Sequence, residues 1–144
     1  MSMPPNGQQR GPNMDISSYF APHGRLRRTH YFAAGFILNV LMSVAQVTEN
    51  LLIILLSLAL LWPLAMIGIQ RAHDIGHGMT APVIGLALAF IGGALREFES
   101  TNALGALMLI PALIISLWLL FSKPDPGPNQ YGPNPREPKI AYNE

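Results

Sequence analysis

Residues 51–69 constrain the fold of this chain more than any other segment. They read LLIILLSLALLWPLAMIGI and carry no charged side chain. A helix needs about 20 apolar residues to cross the roughly 30 Å hydrocarbon core of a bilayer. A helix on the surface of a soluble protein would instead keep a polar face, which this stretch lacks. The stretch therefore predicts a transmembrane helix.

Three further apolar stretches accompany it, at residues 31–47, 80–95 and 103–121. The stretch 103–121 is long enough to cross a bilayer alone, whereas the other two are shorter and would need flanking residues at the membrane interfaces. None of them alternates strictly between apolar and polar residues, as a half-buried strand would. The sequence therefore predicts an all-α integral membrane protein with four transmembrane helices.

The rest of the sequence is polar. Charged residues make up only 12% of the chain, about half the fraction that is usual in soluble domains, and most of them flank the apolar region. The segment after residue 122 holds six of the 13 prolines. We therefore divide the chain into a polar N-terminal segment at 1–29, a four-helix transmembrane domain at 30–122 and a Pro-rich tail at 123–144.

The distribution of lysine and arginine predicts that both termini are cytoplasmic. Four crossings place the two terminal segments on one side of the membrane, together with the loop between the second and third helices. Eight of the nine lysines and arginines fall on that side, and Arg96 falls on the other. Short cytoplasmic segments carry such an excess of positive charge.

Several kinds of chemistry find no support in the sequence. The chain has no cysteine, which excludes disulfides, zinc ribbons, iron–sulfur centres and thiol catalysis. No catalytic or nucleotide-binding motif is present, so we expect no enzyme activity, catalytic residue or cofactor. The net charge of +1 gives no reason to expect a nucleic-acid partner. His73, Asp74 and His77 would suit zinc on a regular helix, but Gly76 and Gly78 disfavour such a helix, so no metal site is predicted.

The first helix carries a polar stripe. Asn39, Ser43 and Gln46 follow Gly35 at steps of four, four and three residues, which places them on one helical face. Such a stripe either lines a substrate path or packs against neighbouring helices. We favour packing, because no ionisable side chain accompanies the stripe at membrane depth.

The third helix carries a stripe of small residues. Ala81, Gly85, Ala89 and Gly93 recur at four-residue steps. In membrane helices this pattern lets two backbones approach closely. The sequence therefore predicts tight packing of this helix, more readily within the chain than between chains.

Three polar motifs meet on the predicted cytoplasmic side: GRLRRTHYF at 24–32, QRAHDIGHG at 70–78 and GPNQYGPNP at 127–135. In sequence and in order they resemble the motifs of a family of small bacterial inner-membrane proteins, the YhaH-like proteins, known as domain of unknown function eight hundred and five. The resemblance implies a multi-pass protein of the bacterial inner (plasma) membrane and brings no established activity. The matching residues are, motif by motif, Gly24, Arg25, Arg28, Tyr31 and Phe32; Arg71, His73, Asp74 and Gly76; and Gly127, Asn129, Tyr131 and Gly132.

The first two helices form an antiparallel pair, which brings the start of one and the end of the other to the same depth. Arg25 and Arg28 lie at the start of the first helix and Asp74 follows the second, so we expect both arginines to pair with this carboxylate. We interpret the cluster as a structural latch between the N-terminal segment, the central loop and the tail, or as a site for an anionic lipid headgroup or another anion. Its candidate residues are Gly24, Arg25, Arg28, Arg71, His73, Asp74, Gly76, Asn129, Tyr131 and Gly132.

The sequence favours a non-catalytic protein that serves as an accessory or structural subunit of a larger membrane complex. Its expected partners are the lipid bilayer and other membrane protein subunits, because small-residue stripes and polar tails are suited to protein contacts. Two alternatives stay open. One is an oligomeric small transporter or channel, and the other is a cytoplasmic-face module that binds anionic lipid headgroups or other anions.

Overall fold

The computed structural model describes residues 20–46 and 51–136, and these residues fold into α-helices without any β-strand. The helices are α1 (Arg28–Gln46), α2 (Leu51–Ala59), α3 (Leu61–Asp74), α4 (Thr80–Arg96) and α5 (Asn102–Phe121). A short 3-10 helix, Glu99–Thr101, precedes α5. The predicted all-α class is confirmed for this part of the chain. The connection between the first and second apolar stretches lies outside it.

The second apolar stretch forms two helices instead of one. α2 ends at Ala59 and α3 begins at Leu61, because Pro63 has no amide hydrogen to donate to the carbonyl of Ala59, four residues earlier. α3 then continues to Asp74. Asp74 is predicted just past this helix, and that prediction is wrong: Asp74 is its last residue, and the chain leaves the helix at Gly76, which has a φ of +77°.

The outer surface of the helices is strongly apolar. Large side chains along α1, α2 and α5 are more than half exposed, among them Phe36, Leu51 and Leu107. The segment Glu99–Phe121, 23 residues long, is long and apolar enough to cross a membrane, and α4 is a shorter apolar helix. An exposed apolar surface of this extent marks contact with lipid or with other proteins. Together, these features indicate a membrane protein.

α4 and α5 form the most extensive helix pair, and buried glycines lie at their contacts. A Cβ added at Gly92 would lie 2.9 Å from the carbonyl oxygen of Gly105. A Cβ added at Gly105 would lie 2.5 Å from the carbonyl oxygen of Gly92. The two backbones therefore approach as closely as glycine allows, which is the packing that small residues permit in a membrane.

The glycines that face α5 are seven residues apart, which corrects the predicted stripe. Gly85 and Gly92 contact α5, whereas nothing lies within 4 Å of a Cβ added at Gly93. Each residue turns an α-helix by about 100°, so every step of four residues drifts by about 40° around the axis. Seven residues nearly complete two turns and return Gly92 to the face of Gly85. Ala81 and Ala89 are half-buried.

The neighbouring glycines of α4 give a direct test of this contact. Gly92→Ala is expected to lower the free energy of unfolding by about 1–3 kcal/mol, because the added methyl group overlaps the backbone of α5. Gly93→Ala is expected to raise it by up to about 1 kcal/mol, because alanine favours the helix and meets no neighbour. Unfolding curves in detergent measure both, and equal effects would contradict the contact between Gly92 and α5.

The polar side chains of Asn39 and Ser43 make no hydrogen bond to another helix in the described part of the chain. Asn39 donates to the carbonyl oxygen of Gly35 at 2.8 Å, and Ser43 donates to that of Asn39 at 2.9 Å. Both residues are exposed, and each is satisfied by its own helix backbone. The packing role predicted for Asn39 and Ser43 is therefore not seen within one chain. The side chain of Gln46 lies outside the described residues.

Candidate functional site

The candidate site is centred on Asp74, whose side chain is completely buried at the end of α3. This helix ends in a Schellman motif. The amide of His77 donates to the carbonyl of Ala72 at 2.8 Å, and the amide of Gly76 donates to the carbonyl of His73 at 3.2 Å. Gly76 has a φ of +77°, which glycine adopts without strain. The motif thus fixes the end of the helix and the position of the carboxylate.

Three arginines surround this one carboxylate. Arg71, one turn earlier on α3, donates from Nη1 to Oδ2 at 2.5 Å. Arg25, from the segment before α1, donates from Nε to Oδ1 at 3.2 Å. Arg136, from the tail, donates from Nη1 to Oδ1 at 3.1 Å and from Nη2 to Oδ2 at 2.8 Å. A single carboxyl group therefore holds the N-terminal segment, α3 and the tail together.

Arg71 also holds the end of α5. Its side chain is completely buried. Its Nε donates to the carbonyl oxygen of Leu119 at 2.8 Å, and its Nη2 donates to that of Ser122 at 2.7 Å. The last carbonyls of a helix have no partner within the helix and carry partial negative charge. The guanidinium of Arg71 thus compensates both a carboxylate and a helix C-terminus.

Arg25 joins the N-terminal segment to the tail. Its side chain is only 1% exposed. Its Nη1 donates to the carbonyl oxygen of Gly127 at 2.6 Å, and its Nη2 donates to that of Asp125 at 2.9 Å. Next to it, the amide of Leu26 donates to the carbonyl of Gln70 at 3.1 Å. These bonds hold the segment before α1 between α3 and the tail.

The tail forms a compact turn against the end of α3. Asn129 donates from Nδ2 to the carbonyl oxygen of His73 at 2.9 Å and to Oδ2 of Asp125 at 2.7 Å. The backbones of Asn129 and Gly132 exchange two hydrogen bonds. The ring of Tyr131 lies flat on that of His73, with the ring centroids 3.8 Å apart and an angle of 5° between the planes. The tail thereby covers the last turn of α3.

His73 is buried between the tail and the N-terminal segment. Its Nδ1 lies 3.2 Å from the carbonyl oxygen of Gly24. A carbonyl can only accept a hydrogen bond, so Nδ1 is the donor. Burial lowers the pKa of His73 below its ordinary value of 6.5; the bond to Gly24 partly opposes this shift, and the charge of His23 adds to it. The fold therefore favours a neutral imidazole.

His73 should give the fold a pH dependence of defined sign. Its pKa is lower in the folded chain than in the unfolded one, so the unfolded state takes up the proton first as the pH falls through 6.5. Stability is expected to fall below this pH by up to about 1.4 kcal/mol per pH unit, until the folded-state pKa is reached. His73→Gln should flatten the profile of unfolding free energy against pH. Equal slopes in the wild type and in His73→Gln would contradict a buried neutral His73.

Most of the predicted residues meet in this cluster, but Arg28 does not. Arg28 is exposed and donates from Nη2 to the carbonyl oxygens of Phe121 and Ser122, at 3.4 Å in each case. Its predicted pairing with Asp74 is therefore wrong. α1 begins at Arg28 itself, which places this side chain beside the end of α5, whereas Arg25 lies in the segment before α1 that contacts α3.

The predicted glycines act through their backbones. Gly24 and Gly132 have φ values of +89° and +135°, which residues with a Cβ rarely adopt. The carbonyl of Gly24 accepts from His73, and the carbonyl of Gly132 accepts from Nη1 of Arg25 at 3.5 Å. The turns at these glycines thus present acceptors to the cluster.

Two residues of the cluster were not predicted from the sequence, namely Arg136 and Asp125. The signal for Arg136 is the preceding Asn-Pro pair: the side chain of Asn134 accepts from the amide of Arg136 at 3.0 Å, an Asx turn that reverses the chain towards α3. The amide of Asp125 donates to the carbonyl of Asp74 at 2.9 Å. Its Oδ2 would lie 2.7 Å from a Cβ added at Gly76, so position 76 has no room for a larger residue.

The hydrogen bonds of the cluster are complete. Among the described residues, no buried side-chain nitrogen or oxygen lacks a partner, and no three metal-ligating side chains come together. Both oxygens of Asp74 accept hydrogen bonds from arginines. Three guanidinium groups share one carboxylate, so positive charge is in excess. This arrangement is suited to joining segments and attracting anions.

The fold and the cluster define a class of helical proteins with an apolar outer surface. In this class, a polar tail is bound to a buried carboxylate, here Asp74 at the end of α3. A family model described as protein of unknown function (DUF805) matches residues 19–133. The chain belongs to this family, as the resemblance of its three motifs implied. Arg136 lies beyond the matched range. No match is found among curated proteins or among solved structures.

Proposed function

We propose that this protein spans the bacterial inner membrane four times with both termini in the cytoplasm, and that it serves, without catalysis, as an accessory or structural subunit of a larger membrane complex. The observation that carries the proposal is the complete cluster at Asp74. It gives the proposed cytoplasmic side a folded polar surface built from the N-terminal segment, the end of α3 and the tail.

A folded surface of this kind favours protein binding. A free Pro-rich tail would lose conformational entropy when it binds a partner, but residues 122–136 are already held by Arg25, Asn129 and Arg136. Preorganisation of this sort lowers the cost of association. Pro128, Gln130 and Pro133 are exposed on the outside of the turn, where a partner protein can reach them.

The proposed topology is measurable because the chain has no cysteine of its own. Single cysteines can replace Gln130 in the tail and Ser100 between α4 and α5, both of which are exposed. A membrane-impermeant maleimide should label Ser100→Cys in intact spheroplasts and Gln130→Cys only after permeabilisation. The cysteine-free wild type is the blank. Labelling of both positions in intact spheroplasts would contradict the topology.

The proposed role is tested by purification from native membranes in mild detergent, followed by native gels and mass spectrometry. The wild type should migrate with another membrane protein in fixed stoichiometry. Arg25→Gln, which loosens the tail, should lose this partner at equal abundance in the membrane. Glu97→Gln changes an exposed residue at the other end of the molecule, and this variant should still migrate with the partner. A wild type that migrates only as a monomer or homo-oligomer would contradict the subunit role.

A second candidate function, the binding of anionic lipid headgroups, is favoured by the excess of positive charge. Arg27, Arg28 and Lys123 are exposed near the cluster. The carboxylates of Asp74 and Asp125 are already engaged by arginine and asparagine donors. Lysine and arginine side chains close to the cytoplasmic leaflet attract its anionic lipids. This end of the protein is therefore suited to contact with headgroups.

A further inference from the structure

An apolar groove lies between α1 and the other helices, beside the Asp74 cluster. Its volume is about 340 Å³, within the range of about 300–1,000 Å³ that is typical of ligand sites. Residues of α1, α3, α4 and α5 line it, and most of them are apolar. On α1, the rings of Phe32 and Phe36 stack with centroids 6.2 Å apart and are more than half exposed. The groove is therefore open to its surroundings along α1.

One end of the groove carries an exposed positive charge. Tyr31 and Leu120 line this end. Arg28 lies one turn before Tyr31 and donates to the carbonyl of Phe121, which follows Leu120. The two hydrogen bonds of Arg28 are long, at 3.4 Å each, and it makes no ion pair among the described residues. Arg28 is thus free to bind an anion at the mouth of the groove.

The groove is long enough to hold the first part of a phospholipid acyl chain. Its lining on α1 runs from Tyr31 to Asn39, about 12 Å along the axis at 1.5 Å per residue. This is less than half of the roughly 30 Å hydrocarbon core. A cation at one end and apolar walls along the rest match the two parts of a phospholipid, its phosphate and the beginning of its acyl chain.

We propose that this groove binds one anionic phospholipid, with the phosphate at Arg28 and the first part of an acyl chain along α1. The proposal deepens the second candidate function and rests on the proposed topology, because the end at Arg28 must lie at the cytoplasmic headgroups. Charge complementarity favours a lipid over an apolar helix of a second copy. Such a helix would leave the guanidinium of Arg28 without a counter-charge.

Native mass spectrometry of the protein released from nanodiscs tests the headgroup contact. The nanodiscs contain phosphatidylglycerol or phosphatidylcholine with the same acyl chains. The wild type should retain one phosphatidylglycerol and about tenfold less phosphatidylcholine. Arg28→Gln should reduce the retention of phosphatidylglycerol about tenfold, because a charge-assisted hydrogen bond is lost. Arg27→Gln is the matched control, since Arg27 is equally exposed but donates to the carbonyl of Pro135 at 2.9 Å, away from the groove.

A second pair of variants tests the acyl-chain contact. Gly35 lines the groove, and a Cβ added there would lie in ordinary van der Waals contact, 3.8 Å from Cδ1 of Ile67, so position 35 accepts a Cβ without movement of the backbone. Gly35→Leu should fill the groove and reduce the retention of both lipids. Ala33→Leu adds the same side chain at an exposed position that does not line the groove and should retain lipid as the wild type does. Circular dichroism confirms that each variant is folded.

Four results would overturn the proposal. Equal retention of the two lipids would show that the headgroup charge is not recognised. Equal losses in Arg27→Gln and Arg28→Gln would show that the charge of the whole face acts and not this groove. Release of the lipid by inorganic phosphate would show a simple anion site without an acyl-chain contact. A second copy of the chain in place of lipid would make the groove a protein interface. Cysteine labelling decides the topology separately, so loss of lipid retention with the expected labelling overturns the groove alone.

Discussion

Asp74→Asn is expected to lower the free energy of unfolding by about 3–5 kcal/mol. The change removes the counter-charge of Arg25 and Arg71, whose side chains are 1% and 0% exposed. The amide of the introduced asparagine also directs an N–H donor towards the guanidinium groups, which contain no hydrogen-bond acceptor. A buried cation without its partner keeps the cost of desolvation and loses the compensating attraction.

Unfolding by denaturing detergent, followed by tryptophan fluorescence, measures this loss. Trp118 is a suitable reporter because its ring contacts His77 edge-on, with centroids 5.0 Å apart, next to the cluster. Glu97→Gln removes one exposed carboxylate far from the cluster and should change stability by less than about 0.5 kcal/mol. If Asp74→Asn were equally mild, backbone carbonyls alone would hold the arginines.

Arg71→Met is expected to destabilise the protein by about 3 kcal/mol or more. Methionine fills similar space, but the carbonyls of Leu119 and Ser122 lose their buried donors and Asp74 loses its shortest ion pair. Arg28→Met is the matched control. It removes an exposed arginine that reaches the same Ser122 carbonyl at 3.4 Å, and a change of less than about 1 kcal/mol is expected.

A double-mutant cycle separates the ion pair from the other bonds of Arg71. Asp74→Asn and Arg71→Met together should cost less than the sum of the single changes, by about 1–3 kcal/mol, because each single change leaves the other group without its partner. The same cycle between Asp74→Asn and Arg28→Met should be additive within about 0.5 kcal/mol. Strong coupling to Arg28 would restore the pairing that the sequence suggested and contradict the structure.

The sequence predicts the helices well because their signal is local. The four apolar stretches locate α1, α4 and α5 to within a few residues, and Pro63 explains the break between α2 and α3. The three polar motifs also identify most of the cluster, including Arg25, Arg71 and Asp74. Charge and chain topology are sufficient to bring these groups to one end of the molecule.

The sequence does not predict which arginine reaches the carboxylate. Arg25 and Arg28 are three residues apart and chemically identical, and the choice between them depends on where α1 begins. Arg136 reaches Asp74 because the tail turns at Asn134. Arg136 comes directly after the third motif, so the motif does not include it. The predicted small-residue stripe includes Gly93 because a four-residue step exceeds the 3.6 residues of one helical turn and drifts around the axis. The reach of each side chain and the rotation of each helix about its axis can therefore be read only from the three-dimensional structure.

The order of the arginines along the chain sets an order of assembly during biosynthesis. Arg71 and Asp74 are three residues apart and can pair as soon as α3 forms, with Arg25 already synthesised. Arg136 follows Asp74 by 62 residues, which take roughly 3–12 s to translate at about 5–20 residues per second. During that interval α4 and α5 must also be synthesised. Closure of the tail on Asp74 is therefore a late step in the maturation of the protein, because it follows the synthesis of the last helix.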